Sequence, residues 1–321
     1  MHKIPVGVLG ASGYAGRELV ALVAAHPRFA LAFATADSRR GERVRAGREQ
    51  ITLVGTEDAP LADAALVFSA LPHGASAIWI ERVRDAGCRV VDLSTDYRPG
   101  NAHWSAEVPY GLTEMARDQV RGASLVANPG CYPTSILLAL LPLLEEGRIP
   151  AGATINVAAA SGVTGAGFTA RTDLLYGEVT EDYRAYATGN EHRHLSEMRA
   201  TLAAFDADAD LLFTPHLLPV ARGILATITV PVTETLADPL ALWRTRYAGE
   251  SFVEIAAEPP TLREVVRRNV VRIHARRAAN VRTPTLQIFS AIDNLVKGAA
   301  GQAVQNANLM LGLDECAGLP A

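Results

Sequence analysis

The N-terminal stretch "IPVGVLGASGYAGRELVALVAAHP" constrains the fold more than any other part of the sequence. It predicts a short buried strand, a turn with three glycines, and a helix of 3.6-residue apolar periodicity that ends at Pro27. Further strands are predicted at "FALAFATA", "ALVFSAL" and "CRVVDLS", with the helix "SAIWIERVRDAG" between the last two. Because strands and helices alternate, we predict an N-terminal Rossmann-type α/β domain with a doubly wound parallel sheet.

The pattern changes after Cys131. The predicted strands "TINVAAAS", "ILATITVPV" and "NVVRIHAR" are separated by long connections, which favours an α+β domain on a largely antiparallel sheet. We therefore predict a first domain at residues 1–131 and a second at 132–294. The segment 295–321 contains a helical pattern, "GAAGQAVQNANLMLGL", which we expect to return to the first domain and complete it.

The composition narrows the classes of partner. The chain has 321 residues, of which 49% are hydrophobic and 20% charged, and a net charge of −4, so nothing favours nucleic acid or an anionic membrane. The longest apolar run, near residues 136–144, contains Pro142 and is too short to cross a bilayer. Three widely spaced cysteines form neither a disulfide framework nor a metal-binding pattern. We expect a cytoplasmic protein without a resident metal.

The glycines of "GASGYAG" predict a dinucleotide site. Gly10, Gly13 and Gly16 follow the first strand and open its helix, where glycines let the backbone approach a pyrophosphate. An ordinary strand-to-helix turn is the alternative. The second predicted strand runs into Asp37, followed by Ser38, Arg39 and Arg40, and a hydroxyl with two guanidiniums suits a 2′-phosphate. We therefore predict NADP, while Asp37 leaves NAD open and a solvated basic loop remains the structural alternative.

The cysteine of "NPGCYPTS" lies in a turn rather than in an apolar run. Pro129 and Gly130 precede Cys131, and the apolar segment "SILLALLPLL" follows, so the thiol is predicted at a loop-to-helix junction. Helix N-terminal amides favour a thiolate there. Position alone is equally compatible with an incidental cysteine.

Two histidines lie close together in "NEHRHLSEM". His192, Arg193, His194 and Glu197 have the side chains needed to bind an anionic substrate and to transfer protons, although a purely structural cluster is the alternative. His216 is a weaker candidate, and we predict it to be structural. Of the remaining histidines, the sequence places His2, His26 and His103 in surface or loop positions.

Eight motifs in order support a family resemblance. They are "GASGYAG", "SALPHG", "DLSTDYRPG", "NPGCYPTS", "SGVTGAG", "HRHLSEM", "FTPHLLPVARGILATI" and "DNLVKGAAGQAVQN". Over nearly its whole length the sequence resembles the N-acetyl-γ-glutamyl-phosphate reductases, NADPH-dependent enzymes of arginine biosynthesis in the aspartate-semialdehyde dehydrogenase superfamily.

The resemblance implies a role for particular residues. It makes Cys131 the nucleophile and His194 the acid/base. Substrate contacts are expected from Arg98, His192, Arg193 and Glu197. Cofactor contacts are expected from Gly10, Ser12, Gly13, Tyr14, Gly16, Ser38, Arg39, Arg40, Pro72, Gly162 and Asn294. It further implies a small acyl-phosphate substrate and a homotetramer or homodimer, with residues 1–131 binding NADP and residues 132–294 serving catalysis and oligomerisation.

The sequence departs from the family at two places. Leu195 and Ser196 stand where Thr-Pro usually follows "HRH", so Ser196 is expected to cap the next helix one residue later. Phe168 stands where the family has an arginine, and Arg171 is a possible replacement. A lysine-pathway reductase of a carrier-bound acyl phosphate therefore remains an alternative, as do a cysteine hydrolase, an NADP-sensing module and a structural protein.

Overall fold

The computed structural model describes residues 3–321, and the described chain divides into two compact units. The first contains the described residues up to Gly130 together with Ala299–Pro320, and the second contains Cys131–Gly298. The chain thus leaves the first unit just before Cys131 and returns to it just after Gly298.

The first unit is built on a parallel sheet. Its elements up to residue 130 are β1 Ile4–Leu9, α1 Tyr14–Ala25, β2 Phe29–Ala34, β3 Arg43–Ala46, β4 Glu49–Thr52, β5 Leu66–Ser69, α2 Ser76–Asp85, β6 Arg89–Asp92, α3 Thr113–Val120 and β7 Leu125–Ala127. Within the described residues, five parallel strands form the sheet in the order β2-β1-β5-β6-β7, and β3 and β4 form a separate hairpin. The Rossmann-type prediction is confirmed, whereas the hairpin was not predicted.

The strand order locates a ligand crevice. From β1 the chain moves to one side of the sheet, and from β5 it moves to the other, so the connections diverge between these neighbouring strands. Ligands of open α/β sheets bind at such a switch point, beyond the carboxyl ends of the strands. The two loops meet there, because a methyl group on Gly10 would lie 2.5 Å from the carbonyl oxygen of Ala70. Pro72 is exposed in the loop after β5.

The second unit is built on a mixed sheet. Its elements are α4 Cys131–Glu145, β8 Ala153–Gly162, α5 Tyr176–Val179, β9 Arg184–Ala185, α6 Leu195–Ala204, β10 Ala209–Leu218, β11 Ile224–Pro231, α7 Pro239–Arg246, β12 Val253–Ile255, β13 Val271–Arg277 and β14 Thr285–Ile292. Within the described residues, seven strands run in the order β12-β13-β14-β11-β8-β10-β9. The pairs β12/β13 and β8/β10 are parallel and the others antiparallel, which confirms the largely antiparallel sheet.

Helix α4 is almost entirely buried, although Pro142 lies in its interior. A proline in this position has no N–H to donate to the carbonyl four residues earlier, and that carbonyl belongs to Leu138. The hydroxyl of Tyr247 donates to Leu138 at 2.5 Å, and the indole of Trp243 donates to the Ala139 carbonyl at 3.0 Å. Side chains on and next to α7 therefore satisfy backbone groups in the region that the proline disrupts.

The returning chain forms α8, Gly301–Met310, whose residues are all buried. Its polar side chains find partners inside the first unit. The amide of Asn306, for example, donates to the Gly111 carbonyl at 2.8 Å and to Asn128 Oδ1 at 3.0 Å. No helix among the described residues has the length and apolar character needed to cross a membrane.

His26 lies in the loop between α1 and β2, which agrees with the predicted surface or loop position, but it is not at the surface. His26 is 1% exposed, because its ring stacks on Phe29 and packs beside α8. Its Nε2 lies 3.1 Å from Asn308 Oδ1, and its Nδ1 accepts the backbone N–H groups of Arg28 and Phe29. Burial lowers the pKa of His26, which favours the neutral ring. His103 is exposed as predicted, and His2 lies outside the described residues.

Candidate active site

Cys131 is the first residue of α4, which confirms the predicted loop-to-helix junction. Its side chain is only partly buried, whereas the following residues of the helix enter the core. Amide N–H groups in the first turn of a helix have no intrahelical acceptor and carry positive partial charge. Pro133 is compatible with this turn because its missing N–H would have no intrahelical partner. The thiol is therefore accessible and lies at the end of the helix that favours negative charge.

An aromatic cluster adjoins Cys131. The ring of Tyr132, 2% exposed, makes edge contacts with the rings of His192 at 5.4 Å, His194 at 6.1 Å and Phe213 at 5.1 Å between centroids. The two imidazoles are 4.7 Å apart. The structure therefore brings both histidines of "HRH" to the residue next to the cysteine.

Tyr186 completes this cluster, although no sequence motif indicates it. Its hydroxyl lies 3.0 Å from that of Tyr132, and its ring lies 5.8 Å from that of His192. Burial raises the pKa of Tyr186 to about 12, and the charge of a Cys131 thiolate acts in the same direction. Burial also raises the pKa of Tyr132, with Tyr186 and Cys131 as further causes. Both phenols therefore stay protonated near neutral pH, and one of the two hydroxyls donates to the other.

The two histidines differ in their surroundings. Nδ1 of His192 accepts the backbone N–H of His194 at 3.1 Å, which leaves the ring proton of the neutral form on Nε2. Burial, assisted by the charge of Arg193, lowers the pKa of His192 to about 4. His192 is consequently a neutral donor at pH 7. A group with so low a pKa is poorly matched to proton transfer near neutrality.

His194 lies directly before α6 and is 5% exposed. Glu197, in the first turn of α6, is 1% exposed, while Arg193 is exposed. The expectation that Ser196 caps a later helix start is wrong: α6 begins at Leu195, and the Ser196 hydroxyl donates to the Arg193 carbonyl at 3.0 Å. Across residues 3–321, no group of three or more His, Cys, Asp or Glu side chains is arranged to hold a metal ion.

The glycine loop fits a pyrophosphate. Gly10 has φ +79°, which favours glycine, and a methyl group on Gly16 would lie 2.2 Å from the Gly10 carbonyl oxygen. Gly13 is the N-cap of α1 and has no side chain to accept the first helical amides. A methyl group on Gly13 would approach no atom closer than 3.9 Å, so the space beside the helix end, next to Ser12 and Tyr14, is open. An anion in this space can accept hydrogen bonds from these backbone N–H groups.

The segment after β2 bears on the choice of dinucleotide. The carboxylate of Asp37 accepts the Thr56 N–H at 2.7 Å and the Thr56 hydroxyl at 3.1 Å. Because both carboxylate oxygens are bonded within the fold, Asp37 is less suited to bind a ribose hydroxyl, which weakens the NAD alternative. Arg39 pairs with Glu42 at 2.6 Å, and Arg40 pairs with Asp58 at 2.7 Å. Ser38 is exposed between them and Asp37. These surface pairs are weak enough to yield to a bound phosphate.

Three predicted ligands make contacts within the fold. Arg98 is 3% exposed and donates to the carbonyls of Asn128 and Leu93 at 2.8 and 2.7 Å, which gives no support to a direct phosphate contact. The amide of Asn294 accepts the Gly223 N–H at 2.8 Å and donates to the Thr164 hydroxyl at 2.9 Å. A methyl group on Gly162 would lie 2.8 Å from backbone atoms of residues 220–222, which explains this glycine without a cofactor.

The contacts of Arg171 and His216 do not support a role in ligand binding. Arg171, considered as a replacement for the arginine absent at Phe168, forms a two-contact pair with Asp173 at 2.6 and 3.0 Å. His216 stacks on Tyr183 at 4.9 Å. It lies three residues after Phe213 on β10, and an odd separation places the two side chains on opposite faces of the sheet.

The fold and both halves of the sequence define the class of protein. Residues 5–123 match the model of the semialdehyde dehydrogenase NAD binding domain, and residues 131–294 match that of the semialdehyde dehydrogenase dimerisation domain. Aspartate semialdehyde dehydrogenase II of Vibrio cholerae has the same fold, with a TM-score of 0.79 at 19% identity over 97% of this chain and 99% of the other. The Candida albicans enzyme, solved with NADP, gives 0.71 at 16% identity over 96% and 98%.

The sequence comparison is more specific. N-acetyl-gamma-glutamyl-phosphate reductase of Salinispora arenicola is 43% identical over 99% of this chain and 98% of its own length. The enzymes of the same name from Halorhodospira halophila and Symbiobacterium thermophilum are 42% and 41% identical over 98% of this chain, and over 98% and 97% of their own lengths. The chain belongs to the N-acetyl-γ-glutamyl-phosphate reductase family.

We predict that Arg39 and Arg40 determine cofactor preference. Replacing both by alanine should weaken NADPH binding on the order of tenfold or more and leave NADH binding nearly unchanged, because only NADPH carries the 2′-phosphate. Fluorescence titration of both nucleotides measures the two dissociation constants. Arg45→Ala, an exposed arginine of β3, is the matched control and should change neither. Equal weakening of both nucleotides in the double variant would assign the arginines to a solvated loop.

Proposed function

We propose that this protein catalyses the NADPH-dependent reduction of N-acetyl-γ-glutamyl phosphate to N-acetylglutamate 5-semialdehyde and phosphate, a step of arginine biosynthesis. The observation that carries the proposal is Cys131 at the start of α4 with Tyr132, His192 and His194 clustered beside it. Relatives that align with 98% of this chain are named N-acetyl-gamma-glutamyl-phosphate reductase, which favours this substrate over the carrier-bound substrate of the lysine pathway.

The chemistry begins with the Cys131 thiolate, which the N-terminal end of α4 favours. It attacks the acyl carbon, the bond to phosphate breaks, and a thioester with Cys131 remains. NADPH, when bound, supplies the hydride that reduces this thioester. The resulting thiohemiacetal releases the aldehyde and restores the thiol. Amides of the first turn of α4 are suitable donors to the carbonyl oxygen as it becomes negative.

The proton transfers are assigned to His194. A thiohemiacetal oxygen must gain and then lose a proton, and that requires a group able to change its charge near neutral pH. The low pKa of His192 supports assigning the task to His194, and we assign the Nε2–H of His192 as a donor to the substrate. Arg193, exposed beside the two histidines, is suited to the substrate's negative groups, and buried Glu197 to orienting the residues at the start of α6.

The proposal also covers the role of each unit and the oligomeric state of the protein. We assign NADP binding to residues 1–131 with 295–321, and catalysis and oligomerisation to 132–294. Apolar side chains are exposed on the second unit at Leu175, Tyr176, Tyr183 and Leu212, which supports a homodimer or homotetramer. Light scattering on the purified protein tests this assembly. Cys88, Cys131 and Cys316 are thiols in the structure, which supports a cytoplasmic location.

The experiment that tests this function is the reverse reaction, NADP⁺ reduction in the presence of phosphate and a semialdehyde. N-acetylglutamate 5-semialdehyde should be oxidised with a kcat/KM at least about tenfold above that of aspartate or unacetylated glutamate semialdehyde. Activity should require phosphate, and Cys131→Ser should abolish it without changing the Kd for NADPH. Cys316→Ser, an exposed thiol, is the control. A preference for another semialdehyde, or turnover by Cys131→Ser, would contradict the proposal.

We predict that exchanging each active-site histidine separates the two roles. His194→Asn should lower kcat about 10²–10⁴-fold, the range expected for loss of a general acid/base. His192→Asn should mainly raise KM for the semialdehyde, because it removes a ground-state contact. Steady-state kinetics across pH measure both effects, with exposed His103→Asn as the control. A large loss of kcat in His192→Asn together with nearly normal kcat in His194→Asn would reverse the assignment.

A further inference from the structure

The motif "DNLVKGAAG" contains more than the predicted cofactor ligand Asn294, whose amide oxygen and nitrogen are both bonded inside the second unit. Its backbone leaves β14 and enters a π-helical segment, Val296–Ala300. The Gly298 N–H donates to the Asp293 carbonyl at 2.9 Å, five residues earlier, as expected in a π turn. Short π segments of this kind occur frequently at functional sites.

Gly298 packs directly against the nucleophile. A methyl group on Gly298 would lie 2.8 Å from Cβ and 3.2 Å from Cα of Cys131, and 3.1 Å from Cδ1 of Ile292. Contacts below about 3 Å between carbon atoms are not tolerated, so one of these neighbours would have to move. Ile292 is 0% exposed and packed in the core, while Cys131 lies at the end of its helix.

The turn is itself held in place by a buried carboxylate. Asp293, 0% exposed, accepts the N–H groups of Leu295 and Val296 at 2.8 and 3.1 Å through Oδ1. Its Oδ2 accepts the Arg267 N–H at 2.7 Å and lies 3.5 Å from the Arg222 guanidinium. The backbone leading to Gly298 is therefore held by several hydrogen bonds, which oppose its withdrawal from Cys131.

We propose that Gly298 is a positioning residue for the Cys131 thiol. Its bare backbone is the surface on which Cα and Cβ of Cys131 rest, and this contact sets the direction of the side chain at the start of α4. The proposal depends on the proposed function, in which Cys131 is the nucleophile. A nucleophile displaced by about 1 Å reacts on the order of 10²-fold more slowly, so the glycine has a kinetic as well as a steric role.

Gly298→Ala tests the proposal, with Gly177→Ala as the matched control. Gly177 lies in α5, and a methyl group there would approach no atom within 4 Å. Gly298→Ala should lower kcat about 10²-fold, leave the Kd for NADPH unchanged, and shift the pH profile of Cys131 alkylation by iodoacetamide. Gly177→Ala should match the wild type in all three measurements. Wild-type kcat and an unchanged alkylation profile in Gly298→Ala would overturn the proposal.

Two double variants distinguish the contact with Cys131 from general crowding. Ile292→Val removes Cδ1, so full recovery of kcat in Gly298→Ala/Ile292→Val would place the clash in the core and overturn the proposal. If Gly298→Ala folds poorly, its effect on the unfolding midpoint is compared in the wild-type and Cys131→Gly backgrounds. It should be smaller in the latter, and equal effects would contradict the contact. Turnover by Cys131→Ser in the native background would instead contradict the proposed function.

Discussion

The close approach of the Gly298 backbone to the side chain of Cys131 is the constraint on which the proposed active site depends. It brings the first residue of α4 against the π-helical segment that follows β14, and these two elements are distant in the sequence and adjacent in the fold. Helix α4 is fixed from its other sides by the Ser135–Ser290 hydroxyl contact at 2.9 Å and by the Trp243 indole. A helix held so firmly presents its N-terminal amides, and the thiol beside them, in one defined place.

Burial then determines the charge states of the rings that cluster next to Cys131. Tyr132 and Tyr186 have raised pKa values, and His192 has a lowered one, so all three stay neutral near pH 7. Burial is the first cause in each case, since a charged form is costly to hold away from water. Three neutral rings therefore cluster next to Cys131, and in the proposed mechanism His194 is the histidine that exchanges a proton.

Much of this architecture could be predicted from local sequence. Residues close together in the sequence determine the glycine turn, the alternation of strands and helices, and the junction at Cys131. The structure confirms all three. Tyr186, Phe213 and Gly298 could not be found in that way, because their importance arises only when separate elements meet. The Ser196 cap failed because α6 starts one residue earlier and the Ser196 hydroxyl bonds to the Arg193 carbonyl. His26 lies in a loop, but Asn308 of α8, 282 residues away in the sequence, packs against it and it is buried. Polar residue type indicates capping or exposure only when tertiary contacts do not override it.

The most direct test of the central claim is to trap the acyl-enzyme. The protein is mixed with N-acetyl-γ-glutamyl phosphate in the absence of NADPH, quenched in acid, and examined by intact and peptide mass spectrometry. The account predicts one N-acetylglutamyl group in thioester linkage to Cys131, removed by hydroxylamine and absent from Cys131→Ser. An enzyme that turns over with NADPH yet forms no adduct, or forms it at another residue, would contradict the account.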